Sequence, residues 1–176
     1  YNAAVAGSTE LCQFFIDNKF FVDLELLTLQ VVKLANVKKD VFEIIIKNIN
    51  QNSKEIMISC YLKEAIKAKN KCLIEYLLNE NAFCDDALFE AVKTNEIEIV
   101  NLVLNKNSES YFINQISTDG TALYLAVSNN NLEIVDRLLS IPEIDPNLSQ
   151  NENKTPLIKA IINLNIDIVN KIIDFY

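Results

Sequence analysis

DGTALYLAVSNNNLEIVDRLL, Asp119 to Leu139, returns in altered form as KTPLIKAIINLNIDIVNKII, Lys154 to Ile173. In both, an alanine (Ala126, Ala160) is followed nine positions later by a valine (Val135, Val169). Ala91/Val100 and Ala65/Ile74 keep the interval, and Val32/Val41 and Ala3/Cys12 are weaker copies. The anchors at 3, 32, 65, 91, 126 and 160 lie 29, 33, 26, 35 and 34 residues apart. Each step fits one helix-turn-helix unit plus a connector of variable length, which predicts stacked repeats instead of a single globular core.

Within the Ala126 unit, Thr121 is placed to cap a helix carrying Leu123, Ala126 and Val127 on one apolar stripe. Asn129-Asn130-Asn131 suits a helix exit through left-handed backbone. A second helix then buries Ile134, Val135, Leu138 and Leu139. Helices this short are marginal alone in water, so stacking must supply their stability. The small anchors sit where paired helices press closest.

Composition narrows the chemistry. Two Gly and three Pro in 176 residues leave little for a glycine-rich phosphate cradle or a many-stranded sheet, so the reading is all-α. With no His, the usual general base and the commonest metal ligand are missing. Cys12, Cys60, Cys72 and Cys84 form no C-x-x-C pair and read as small apolar residues in a reducing compartment. A net charge of −8 disfavours nucleic acid and anionic lipid as partners. The longest apolar runs, such as Ile44-Ile45-Ile46, are far short of a membrane span. A cytoplasmic protein is the expectation, and the abrupt start at Tyr1 and the finish in an apolar helix suggest a fragment of something longer. Asp85-Asp86 precede a predicted helix, where they read as caps instead of acid/base or metal groups. No catalytic, cofactor-binding or metal-binding residue is named, and no cofactor is implied.

Thr155-Pro156-Leu157 with Ala160, then Asp167-Ile168-Val169 and Ile172-Ile173, resembles the ankyrin repeat pattern T-P-L-H-x-A…E-I-V-x-x-L-L. Thr121-Ala122-Leu123-Tyr124-x-Ala126 with Glu133-Ile134-Val135 and Leu138-Leu139 resembles it too, as does Ala91 to Val100, while Ala65 to Leu78 keeps spacing and the double leucine. Asn153 stands at the hairpin glycine position. The pattern's histidine is Phe89, Tyr124 and Ile158 here, so its hydrogen bonds between neighbouring repeats must be absent or replaced. The resemblance implies an α-solenoid of about six stacked helix-turn-helix units, residues 1–176 as one ankyrin-repeat domain, and protein binding without catalysis. Its concave face would combine first helices with β-turn finger tips. The 26-residue step between Ala65 and Ala91 leaves too little chain for a finger there.

On the first helices that face falls on Lys67, on Lys93 and Thr94, on Ser128 and Asn129, and on Ile162 and Asn163. Lys67 and Lys93 hold equivalent places in adjacent units, where they would make a basic spot for an acidic segment of a protein partner; the plainer reading is two solvated lysines. The finger Tyr111 to Asp119 offers Tyr111 and Phe112 as binding anchors, against packing under the loop; the finger Gln150 to Lys154 is polar. Apolar side chains near both ends (Phe14, Phe15, Phe20 and Phe21; Ile172, Ile173, Phe175 and Tyr176) suggest self-association through open solenoid ends. Two further readings stand beside a binding module: an architectural segment of a longer repeat protein, and the targeting arm of an enzyme.

Overall fold

A computed structural model describes residues 9–18, 24–33, 38–48, 51–106, 110–149 and 155–176. The chain divides into two compact units, Tyr1–Ala87 and Leu88–Tyr176. Ala3, Phe20, Phe21 and the stretch from Gln150 to Lys154 with Asn153 lie outside the described residues.

The first unit holds α1 (Thr9–Asp17), α2 (Leu24–Val32), α3 (Lys39–Lys47), α4 (Gln51–Lys67) and α5 (Lys71–Asn79). Packing alternates along the chain: α1 meets α3 and α3 meets α5, while α2 meets α4 and α4 pairs with α5. First helices thus stack on first helices and second on second, as stacked hairpins require. Val41, Phe42, Ile45 and Ile46 occupy one face of α3 and are buried, a spacing of one, three and four that follows the helical period. Around Phe42 the core becomes aromatic. Its ring meets Tyr61 edge-on at 5.9 Å and Tyr76 at 5.8 Å, and the Lys39 ammonium sits 5.3 Å from the Tyr76 ring centroid.

The second unit contains three regular helix pairs: α6 (Ala87–Thr94) with α7 (Ile97–Lys106), α9 (Ala122–Ser128) with α10 (Leu132–Leu139), and α11 (Pro156–Ile162) with α12 (Ile166–Asp174). A single turn of helix, α8 (Ser110–Ile113), precedes β1 (Ile116–Ser117) and β2 (Gly120–Thr121), the only strands among the described residues. These strands pair antiparallel as a finger, Ile116 opposite Thr121 and Ser117 opposite Gly120. Gly120 has φ +108°, and a β-carbon there would lie 2.8 Å from the Tyr124 ring, so backbone and neighbour both demand glycine. Residues 80–86, between Ala65 and Ala91, run without a strand, in line with the short spacing.

Small anchors and caps decide where each hairpin forms. Val32, Ala65, Ala91, Ala126 and Ala160 are all fully buried. Thr121 and Thr155 accept from the amides of Tyr124 and Ile158 and start α9 and α11, with Pro156 at the first turn of the latter. Asn70, Asn131 and Asn165 do the same for α5, α10 and α12. Just before them the chain turns through left-handed backbone at Lys69, Asn95, Asn130 and Leu164, four residues after each anchor alanine. Asn95 and Asn130 tolerate this; Leu164 is strained by it.

Candidate protein-binding face

The face expected to bind a partner begins with the ends of the first helices. At the third residue after the anchor, Asn129 and Asn163 turn their amides away from solvent ligands. Asn129 Nδ2 donates to the Val92 carbonyl at 3.2 Å, and Asn163 Nδ2 to the Val127 carbonyl at 2.9 Å, each in the preceding helix pair. A second row runs beside the first: Asn131 Nδ2 donates to Asn95 Oδ1 at 2.9 Å and Asn165 Nδ2 to Asn130 Oδ1 at 3.0 Å. On the second helices Arg137 Nε reaches Asn101 Oδ1 at 2.8 Å, and Lys171 pairs with Asp136. That pairing pushes the Lys171 ammonium above its ordinary value. Asn114 adds a further tie, donating to the Glu143 carbonyl at 2.7 Å and accepting from the Asp145 amide at 2.9 Å.

Phe89, Tyr124 and Ile158 offer no histidine donor, and these amides supply side-chain bonds between neighbouring repeats. Sequence reading assigned Asn129 and Asn163 to partner binding, and their side chains are engaged between repeats. The signal that could have found this is the recurrence itself, Asn129 with Asn163 and Asn131 with Asn165, at one repeat length. Thr94, the equivalent in the preceding pair, bonds back to the Ala91 carbonyl at 2.6 Å and accepts from the Glu96 amide.

The row one residue earlier and the finger tip make up the rest of the expected face. Lys93 reaches Asp119 at the finger turn, 2.9 Å away, with Glu90 at 4.0 Å. Ser128 is half-buried and bonds back to the Tyr124 carbonyl at 2.8 Å. Ile162 is 66% exposed. In the first unit Lys67 pairs with Glu64 at 3.1 Å. Both lysines therefore carry a carboxylate, and the bare basic spot expected from their spacing is replaced by ion pairs that an acidic chain readily supplies.

The finger differs from its expected extent. Tyr111 and Phe112 fall on α8, and the paired strands begin only at Ile116. Phe112 is 2% exposed and Ile113 is buried beside it, so Phe112 packs instead of serving as a partner anchor. Ile116, half exposed, is the apolar residue the finger presents.

In the first unit an open groove of about 300 Å³ is lined by Cys60, Lys63, Phe83, Cys84 and the Asp85-Asp86 pair. Asp86 takes a bond from Lys63 at 2.6 Å. Burial pushes the Cys84 thiol up, as it does Cys12, which keeps both protonated and weakly nucleophilic at neutral pH. Among the described residues no three His, Cys, Asp or Glu side chains gather to hold a metal ion, and no helix is long and apolar enough to cross a membrane.

Stacked helix pairs, alternate packing and a short two-strand finger define an all-α repeat protein. The family profile described as Ankyrin repeats (3 copies) matches residues 62–150 and 88–175, and the chain belongs to the ankyrin-repeat family. The chain matches no curated protein. Ankyrin repeats are generally protein–protein interaction modules and typically non-catalytic.

Proposed function

We propose that this chain is a non-catalytic interaction module, one ankyrin-repeat domain over residues 1–176, that holds a protein partner in the cytoplasm. In the second unit the partner lies against Lys93, Ser128, Ile162 and the finger at Ile116. The observation that carries this reading is the Lys93–Asp119 bridge of 2.9 Å, which ties finger to helix and leaves the adjoining surface ready-formed. A preformed face loses little ordering entropy on binding. An acidic segment of the partner is favoured: exposed pairs of this kind contribute only about 0–1 kcal/mol, so an incoming carboxylate can take the place of Asp119 on Lys93 or of Glu64 on Lys67. Asn129, Asn163 and Thr94 act by holding the helices in place. A second copy of the chain, meeting it at an open end, is a further partner. The four free thiols support a reducing compartment.

The test is cross-linking capture from the native cell with the chain, with Lys93→Glu and Lys67→Glu together, and with Ile162→Glu. Loss of the same cross-linked protein in both variants is expected, with salt dependence reduced in the charge-reversed one. A partner retained by both variants, at unaltered affinity and salt dependence, removes the reading.

A further inference from the structure

Two glycines occur in the chain, Gly7 after Ala6 and Gly120 after Asp119, so Asp119-Gly120 is its one aspartate or asparagine followed by glycine. The pair closes the tip of the finger. Thr118 and Asp119 form the turn between β1 and β2, and both are exposed. Gly120 cannot give way to a bulkier residue, because its φ of +108° and the Tyr124 ring, 2.8 Å from any β-carbon, leave room for hydrogen alone. The geometry of the turn therefore fixes a chemically labile link in place.

Lability comes from the missing β-carbon. Nothing branched beside the Gly120 nitrogen blocks its approach to the carboxyl carbon of Asp119. A bond from Gly120 N to Asp119 Cγ expels the carboxyl hydroxyl as water, with the amide proton, and closes a five-membered imide. Water then opens the ring. Breaking the N–Cγ bond restores aspartate. Breaking the bond from N to the backbone carbonyl carbon sends the chain through Cβ and Cγ, giving isoaspartate of unchanged mass. The water lost in the first step returns in the second, so the conversion requires no oxidant, cofactor or enzyme. A two-strand hairpin is marginal by itself, and local opening of such an exposed turn costs far less than unfolding the helix stack.

Three bonds hold the turn. The Asp119 amide donates to Ser117 Oγ at 3.2 Å, that hydroxyl donates to the Gly120 carbonyl at 2.8 Å, and the Asp119 carboxylate meets Lys93 Nζ at 2.9 Å. Isoaspartate lengthens the main chain between residues 119 and 120 by one atom and shortens the arm of the carboxylate by one carbon. The ties through Ser117 then no longer fit the span of the turn, and the carboxylate falls short of Lys93. We propose that Asp119-Gly120 is a spontaneous modification site, which converts to isoaspartate in the folded chain and thereby releases Lys93 from the finger. The conversion needs no partner; its effect on binding rests on the reading of Lys93 as part of the partner face.

The test is to hold the folded chain at neutral pH and physiological temperature for weeks. Isoaspartate is read by methylation with an isoaspartyl carboxyl methyltransferase and labelled methyl donor, and located by electron-transfer fragmentation. Label accumulating at residue 119 is expected. Asp119→Glu keeps a carboxylate but would have to close a six-membered ring, so label at that position should be lost while the circular-dichroism spectrum stays unchanged. Acetylation of Lys93 by an amine-reactive ester should be faster in the converted fraction, by up to about fivefold, the most that an exposed ion pair contributes. No label at residue 119, label there only when the chain is unfolded in denaturant, or equal Lys93 reactivity in converted and unconverted chains each overturns the proposal. None of these readouts involves a partner, so failure of the binding reading would leave them unmoved.

Discussion

The two units hold their hairpins together by different means. In the first, Phe42 is wedged between the rings of Tyr61 and Tyr76, and adhesion between helices is aromatic and fully buried at its centre. In the second, asparagine amides step from pair to pair at Asn129, Asn131, Asn163 and Asn165. The third residue after the anchor shows the divergence at one place, being Ala68 in the first unit and Thr94, Asn129 and Asn163 in the second. Both units bury a small anchor in the same register. What the contrast teaches is that the register comes from the anchors and caps, while the glue between repeats is free to vary, and with it the visibility of the repeat in the sequence.

The largest effects should come from striking each core at its own centre. Ala126→Asp adds volume and an unpaired charge at a fully buried helix contact, and should destabilise by several kcal/mol, about 3–5. Phe42→Ala removes the ring shared by two tyrosines and should cost about the same. Chemical denaturation reads both. If the two units unfold as separate transitions, Phe42→Ala moves one midpoint and Ala126→Asp the other; an unmoved midpoint for Ala126→Asp would mean the register is wrong.

The amide ladder comes next. Asn129→Ala and Asn163→Ala each remove one bond to a neighbouring carbonyl and should cost about 1 kcal/mol. Asn131→Ala and Asn165→Ala lose a helix cap as well, so about 1–2 kcal/mol is expected for each. Equal losses at all four positions would show that the ladder bond carries the effect and the cap adds nothing.

Much of this was legible locally. Thr121 as a cap, Asn130 as left-handed backbone and the stripe Leu123, Ala126 and Val127 follow from short-range chemistry, and the structure has all of them. The candidate face was legible only in position. That Asn129 is committed to Val92, 37 residues earlier, or Lys93 to Asp119 on the finger, depends on how the hairpins lie on one another. Spacing places a residue on a face without saying what already holds its polar atoms. Phe112 was misjudged for a related reason: a loop read as one finger contains a buried helical turn before its strands begin. The aromatic cluster of the first unit escaped because Phe42, Tyr61 and Tyr76 stand at different places relative to the anchors Val32 and Ala65.

A gain is expected where the second unit departs from its own rule. Leu164 adopts φ +56° at the place where Asn95 and Asn130 stand in its sister pairs. Leu164→Gly should relieve the strain and raise stability by about 1 kcal/mol, read as a later denaturation midpoint. No gain would indicate that the greater freedom of glycine in the unfolded chain offsets the relief of strain.

The smallest expected effect separates the units by pH. Burial, with Glu80 and Glu43 nearby, pushes the Tyr76 hydroxyl up from 10.0 to about 12. A raised value means that the folded state holds the proton more tightly, so this stabilisation is complete below pH 10.0 and is lost as pH climbs from there toward 12. With the ring only partly shielded from solvent, the loss should be on the order of 1 kcal/mol. Tyr76→Phe removes the titrating group and keeps the edge-on contact with Phe42. Its alkaline unfolding curve should therefore be flatter than that of the parent chain over this interval. Since Tyr76 belongs to the aromatic unit, the difference must appear in whichever transition Phe42→Ala moves, and its appearance in the one moved by Ala126→Asp would contradict the assignment of the two adhesives to two units.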